Sequence, residues 1–257
     1  PTGVELAGAL GEISRFTLAR DFRKIDPNRT RIILVEAGER ILAGFHPDLA
    51  RKAARSLEGM GVQVWTQSRV TEVNAQGVRL REEFLHAQTV LWAAGVKPSS
   101  LNEKLGAPLD PIGRVIIEDD LSLPGHPDVF VIGDQALCRD KAGKELPGIA
   151  PVAMQQGIHA GKTVLRLVQG KASEPFKYFD KGIMATIGRR TAVLESGRIR
   201  MHGLLAWIAW LLIHIFYLVG FKNRIFVMIQ WAWHYFSFGR GARLIVGKSW
   251  QFYNKSA

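Results

Sequence analysis

The stretch Pro127-Asp128-Val129-Phe130-Val131-Ile132-Gly133-Asp134 decides the reading of the fold. Val129 to Ile132 is a short apolar, β-branched run of the kind that forms a buried strand, and it ends abruptly in Gly-Asp. A carboxylate just beyond the C-terminal end of a strand in an α/β sheet stands where such sheets bind ligands. There it can accept hydrogen bonds from a polyol. Asp134 can equally cap a following helix. Working outward, runs of the same kind occupy Arg31 to Val35, Val62 to Trp65 and Thr89 to Trp92, separated by helix-like stretches. Residues 1 to about 172 therefore read as an α/β protein with mostly parallel, buried sheets. Val70 to Leu85 alternates polar and apolar residues around Gly77 and predicts a small β-meander. Gly182 to Ile187 and Thr191 to Leu194 predict two short strands about a turn at Gly188, within a connector that begins at 173.

The opening PTGVELAGAL has the form of the second half of a dinucleotide-binding glycine turn, with Gly3, Glu5, Ala7 and Gly8 at the start of a helix. Residues of little bulk there let backbone N–H groups approach a pyrophosphate. The same residues also suit close packing of a helix on a sheet. Because the chain opens inside this motif at Pro1, a preceding strand is expected upstream. The next strand ends in Glu36, where an acid can accept both adenosine ribose hydroxyls and so favour NADH over NADPH, or can simply be a solvated strand-end residue. The 33-residue interval from Gly3 to Glu36 is long for this motif, and the charged insert Arg20 to Thr30, with a turn at Asp26-Pro27-Asn28, absorbs the excess. Ala93, Ala94 and Gly95 would let a dinucleotide or flavin lie against the backbone, or simply form the exit from a strand.

The 257 residues carry a formal charge of +11, which calls for an anionic partner, and the location of that charge says which. From Ser196 to Ala257 there is no Asp or Glu, while Arg198, Arg200, Lys222, Arg224, Arg240, Arg243, Lys248 and Lys255 give +8. Five of the seven tryptophans, Trp207, Trp210, Trp231, Trp233 and Trp250, lie here among long aliphatic runs, a bilayer composition rather than a nucleic-acid one. Gly203 to Gly220 is 18 residues, about 27 Å as a helix, and Ile225 to Phe238 is 14 residues, about 21 Å. A helical hairpin in one leaflet fits both lengths. A transmembrane helix over the first run and a soluble dimer interface are the alternatives. The single cysteine, Cys138, leaves no intrachain disulfide and no CxxC pair. No metal site is expected: His214 and His234 lie 20 residues apart without further ligands.

Taken in order, TGVE (2–5), Glu36, WAAGVKP (92–98), LPGHPD (123–128), VFVIGD (129–134), APVAMQQG (150–157) and DKGIMATIGRR (180–190) resemble the type II NADH dehydrogenases. These are non-proton-pumping NADH:quinone oxidoreductases among the two-dinucleotide-binding-domain flavoproteins. The resemblance implies a Rossmann-like NAD(H)-binding domain at 1–97 without its first strand, and the C-terminal part of a Rossmann-like FAD-binding domain at 98–172. A connector with C-terminal membrane-anchoring helices would occupy 173–257. It implies that Gly3, Glu5, Glu36, Ala94 and Gly95 lie along NADH, that Gly133, Asp134 and Ala153 contact FAD, and that Gln155 and Gln156 lie at the quinone site. The family form AQxAxQ has Pro151 in place of its first Gln here. Lys181 would approach the flavin, pair with Glu5 and, with it, serve the reaction; a cation there favours anionic reduced flavin.

The function so implied is FAD-dependent oxidation of NADH with two-electron reduction of a membrane quinone. Its place would be an anionic bilayer, at the cytoplasmic face of a bacterial plasma membrane or at the mitochondrial inner membrane, as a monomer or homodimer, with no nucleic-acid partner. A flavin reductase with a soluble protein acceptor and a non-catalytic membrane-associated module are the alternative readings. Thiol-dependent relatives work through reactive cysteines, and solitary Cys138 argues against that chemistry.

Overall fold

In a computed structural model, residues 1–18, 26, 30–218 and 220–237 are described. The Asp26-Pro27-Asn28 turn, the side chain of His234 and the basic residues Arg240, Arg243, Lys248 and Lys255, with Trp250, lie outside them. The chain divides into two compact units, one of Pro1–Trp92 with the chain from Gly182 onward, the other Ala93–Lys181.

The first unit starts with α1, Thr2–Glu12, which continues into a π-helical turn, Ile13–Leu18. Val4, Ala7, Gly8 and Gly11 recur at helical spacing and are its buried stripe. Strand β1 (Ile32–Val35) and strand β2 (Val62–Trp65) pair in parallel, Ile32 with Val62 and Val35 with Trp65, as expected. They are joined by α2, Pro47–Gly59, which opens with Pro at its first position, where a missing N–H costs nothing. Its Leu49, Ala50, Ala53 and Leu57 fill the main core. The predicted meander is β3 (Val70–Asn74), β4 (Gly77–Leu80) and β5 (Glu83–His86), antiparallel throughout.

The second unit holds β6 (Val115–Ile116) parallel to β9 (Ala136–Leu137), and β7 (Ser122–Leu123) antiparallel to β8 (His126–Phe130). Helix α3, Ala150–Val168, follows. Two expectations are corrected here. Val129 to Ile132 is not a buried parallel strand: β8 is offset toward its polar end, His126-Pro127-Asp128, and Val129 is 38% exposed. Thr89 to Trp92 forms no strand, and Val90, Leu91 and Trp92 are exposed. A buried parallel strand needs ladder partners on both sides. Among the described residues β8 has only β7, and the 89–92 run has none.

The connector region contributes three strands rather than two: β10 (Ile183–Gly188), β11 (Thr191–Ser196) and β12 (Ile199–Gly203), with β11 central. Ala185, Ile187 and Val193 face the core of α1 and α2. Ala192 and Leu194 face the other way, onto Ala206 of α4, Leu204–Tyr217. Helix α5, Phe221–Ser237, follows. The apolar run from Gly203 to Gly220 is thus a 14-residue helix: Gly203 adopts φ 73°, outside the helix, and Leu218 is extended. No helix among the described residues is long and apolar enough to cross a membrane. Arg224 fixes the bend by donating from Nε to the Leu218 carbonyl at 2.8 Å.

Candidate functional site

In the first unit, Gly3 and Glu5 lie in the opening turn of α1, whose N-terminal residue, Pro1, offers no side-chain cap. The first-turn N–H groups of a helix lack intrahelical partners and suit an anion. Glu5 Oε1 accepts from the Thr186 amide at 3.1 Å and its hydroxyl at 3.3 Å. Thr186, which the sequence reading did not name, sits in β10, and nothing local to it marks it as a partner of α1. Gly8 is a packing residue: a Cβ on it would overlap the carbonyl of Ile187, so α1 rests directly on the β10 backbone. The packing reading of the glycine turn thus holds at Gly8.

Glu36 is at the tip of β1, and its amide donates to the Trp65 carbonyl at 2.8 Å, continuing the β1–β2 ladder one residue further. One carboxylate oxygen, Oε1, accepts from the Gly38 amide at 2.7 Å. That bond turns the side chain back over its own loop.

In the second unit, Gly133, Asp134, Ala153 and Gln156 come together. Gly133 has φ 66°, a left-handed conformation that favours glycine, and a Cβ there would touch that of Ala153 at 3.5 Å. Its amide donates to Gln156 Oε1 at 2.7 Å. Gln156 is 1% exposed. Asp134 Oδ1 would lie 3.0 Å from a Cβ on Gly148, so glycine at 148 leaves the carboxylate its room. Gln135 extends the turn: its side chain accepts from the Ser99 amide at 3.0 Å, and its carbonyl accepts from buried Asn102 at 3.0 Å. No short-range pattern foretold either contact.

Gln155 is half-buried and bonds the Phe179 backbone with both ends of its amide, accepting from its N–H and donating to its C=O, each at 3.0 Å. Pro151 is in the first turn of α3, where it needs no N–H donor. Lys181 is exposed at the end of this unit, and Ala94 and Gly95 are exposed at its start, Gly95 with φ 104°. Burial pushes the Cys138 thiol up, a hydrogen bond from Gln156 opposes this, and Asp119 adds to it. A protonated thiol is a poor nucleophile. His214 has its Nδ1 2.8 Å from the Trp210 carbonyl.

Residues 1–157 match the family model described as pyridine nucleotide-disulphide oxidoreductase. The chain belongs to this family. Among curated relatives, the chain is 38% identical to the type II NADH:quinone oxidoreductase NdhA of Mycobacterium tuberculosis, over 96% of the chain and 55% of that protein. It is 36% identical to Ndh of the same organism, over 94% and 54%, respectively. With the internal alternative NAD(P)H-ubiquinone oxidoreductase A1, mitochondrial, of Arabidopsis thaliana it shares 34% identity over 93% of the chain and 50% of that protein. The chain spans about half the length of the curated relatives it matches. Among solved structures, NDH2 of Plasmodium falciparum in complex with NADH superposes with a TM-score of 0.79 at 16% identity, over 91% of this chain and 64% of that one, which shows a shared fold.

Proposed function

We propose that this chain carries the NADH-binding and part of the flavin-binding machinery of an NADH:quinone oxidoreductase, with 1–97 serving the nucleotide, 98–172 the flavin, and 173–257 the connector and membrane contact. The overall reaction is NADH + H⁺ + quinone → NAD⁺ + quinol. The observation that carries the reading is the Gly133–Asp134 turn, where a left-handed glycine, an exposed carboxylate and a facing glycine at 148 leave room for a polyol. The residues present fit FAD, which when bound supplies a two-electron carrier between donor and acceptor.

Each of the chain's own groups has a task. Glu36 accepts from the ribose hydroxyls of NADH and repels a 2′-phosphate. Gly3, Ala94 and Gly95 let the dinucleotide approach the backbone. Glu5, held by Thr186, is kept in one orientation. Asp134 accepts from the flavin's polyol chain, and Ala153 keeps the facing surface flat. Lys181 supplies positive charge that favours the reduced flavin. Of the two glutamines, half-buried Gln155 is the one a quinone can approach, while Gln156 is closed off by its burial.

Membrane contact is supported by α4 and α5. Leu205, Leu212 and Phe216 on the first and Phe226, Ile229 and Trp233 on the second are each more than 60% exposed. A surface of that kind with a basic flank suits one leaflet of an anionic bilayer, at the cytoplasmic face of a bacterial plasma membrane or at the mitochondrial inner membrane. The test is NADH oxidation by the FAD-loaded protein in vesicles with a membrane quinone, set against NADPH and against a soluble protein acceptor. Turnover with NADH and quinone supports the assignment, and activity only with a soluble protein acceptor sinks it.

A further inference from the structure

Neighbouring residues on a helix point about 100° apart, so two consecutive side chains reach different parts of the chain. On α3 that divergence is used twice. Gln156, 1% exposed, accepts from the Gly133 amide at 2.7 Å. Gln155 makes the reciprocal pair of bonds to Phe179 that a neighbouring strand would make, each at 3.0 Å, two residues before Lys181. Phe179 is otherwise 70% exposed, in a segment without helix or strand.

We propose that Gln155 and Gln156 are positioning residues for the flavin half of the site, Gln156 setting the Gly133–Asp134 turn and Gln155 setting the segment that presents Lys181. This rests on the flavin reading given above. The amide of Gly133 must be turned inward for the turn to hold its left-handed form, and Gln156 is the acceptor that takes it. A buried N–H deprived of its acceptor drives the turn to rearrange. Asp134, the next residue along, would move with it. The Gln155 amide ties the 177–181 segment to α3 through the Phe179 backbone, and the segment forms no helix or strand of its own.

The experiment is an FAD titration of the apoprotein, followed by a reductive titration of the holoenzyme, for wild type, Gln156→Leu, Gln156→Glu and Gln155→Leu. The Leu change at 156 is expected to raise the FAD Kd about tenfold, with KM for NADH unchanged at saturating FAD. The Glu change keeps an acceptor for Gly133 and is expected to stay within about threefold of wild type. The Leu change at 155 is expected to leave FAD affinity near wild type and to weaken the preference for reduced flavin about tenfold, a fall of about 30 mV for a two-electron couple. Equal FAD affinity in wild type and Gln156→Leu, or equal loss in the Leu and Glu variants, overturns the role of Gln156. An unmoved potential in Gln155→Leu overturns that of Gln155. A wild-type protein that binds no FAD overturns the flavin reading itself, an outcome distinct from all of these.

Discussion

Glu36 shows how much a single position can be asked to do. One of its oxygens is committed to the Gly38 amide, so under the proposed function its other oxygen and its negative charge are what a nucleotide would meet. Glu36→Gln keeps an acceptor for Gly38 and removes the charge. It is expected to lower kcat/KM for NADH about tenfold and to raise the relative use of NADPH, both read from initial rates with the two donors. Asp110 makes a different kind of prediction. Burial opposes its charge, but the Arg114 amide and guanidinium and the Ile112 amide outweigh burial and hold its pKa below the usual aspartate value. Arg114 donates to Asp110 Oδ2 at 2.7 Å and to Glu145 at 2.8 Å. A carboxylate whose pKa is lowered by folding stabilises above the unfolded value, about 3.9, and that stabilisation is lost as the pH falls through the lower, folded value. Melting temperature is therefore expected to fall in wild type between pH 5 and 3 by more than it does in Asp110→Asn, which should melt lower at pH 7. The strand-end position of Glu36 was legible in the sequence because a β-branched run leads straight into it. Thr186 was not, because its bond to Glu5 spans 181 residues and leaves no local trace.

At the scale of elements, α1 is held against the β10 backbone at Gly8, where no side chain intervenes. Gly8→Ala places a methyl group on the Ile187 carbonyl, and the helix or the strand must give. Overpacking of this kind costs about 1–3 kcal/mol, so a melting temperature lower by several degrees is expected in thermal unfolding. Ala9→Ser, on the exposed side of the same helix, should melt like wild type. Strands β1 and β2 and the meander were readable from periodicity because each run finds a ladder partner. The runs at 89–92 and 129–132 carry the same β-rich composition, yet strand formation is decided by available partners, which composition does not report. Strand β12 was missed for the converse reason: Ile199-Arg200-Met201-His202 reads as a polar linker, but it completes a sheet whose other face is already covered.

For the whole molecule, the basic and apolar character of the tail was evident in composition, whereas its division at Leu218 depends on backbone conformation and on Arg224. Helices of 14 and 17 residues are about 21 and 26 Å long, short of a hydrocarbon core of about 30 Å. Binding to vesicles containing anionic lipid is expected, weakening as salt is raised. A Leu205→Glu and Phe226→Glu double variant should lose at least tenfold in co-sedimentation while its melting temperature stays put, because both side chains point away from the core. A variant that still sediments fully would remove these helices from the membrane contact. One feature of the same unit bears on how the chain acquires this form. Strand β11 sends Val193 toward one core and Ala192 and Leu194 toward another, so neither of its sides is wet. Alternation of polar and apolar residues, which ordinarily penalises a strand that slips by one place, offers no guard here. The guard is at the strand's end, where Glu195 accepts from the His46 amide at 2.6 Å and pairs with Arg200 at 3.4 Å. Correct alignment of the sheet is thus secured by a contact that reaches 149 residues back along the chain, and a newly made strand has little to tell it where to stop until that loop arrives.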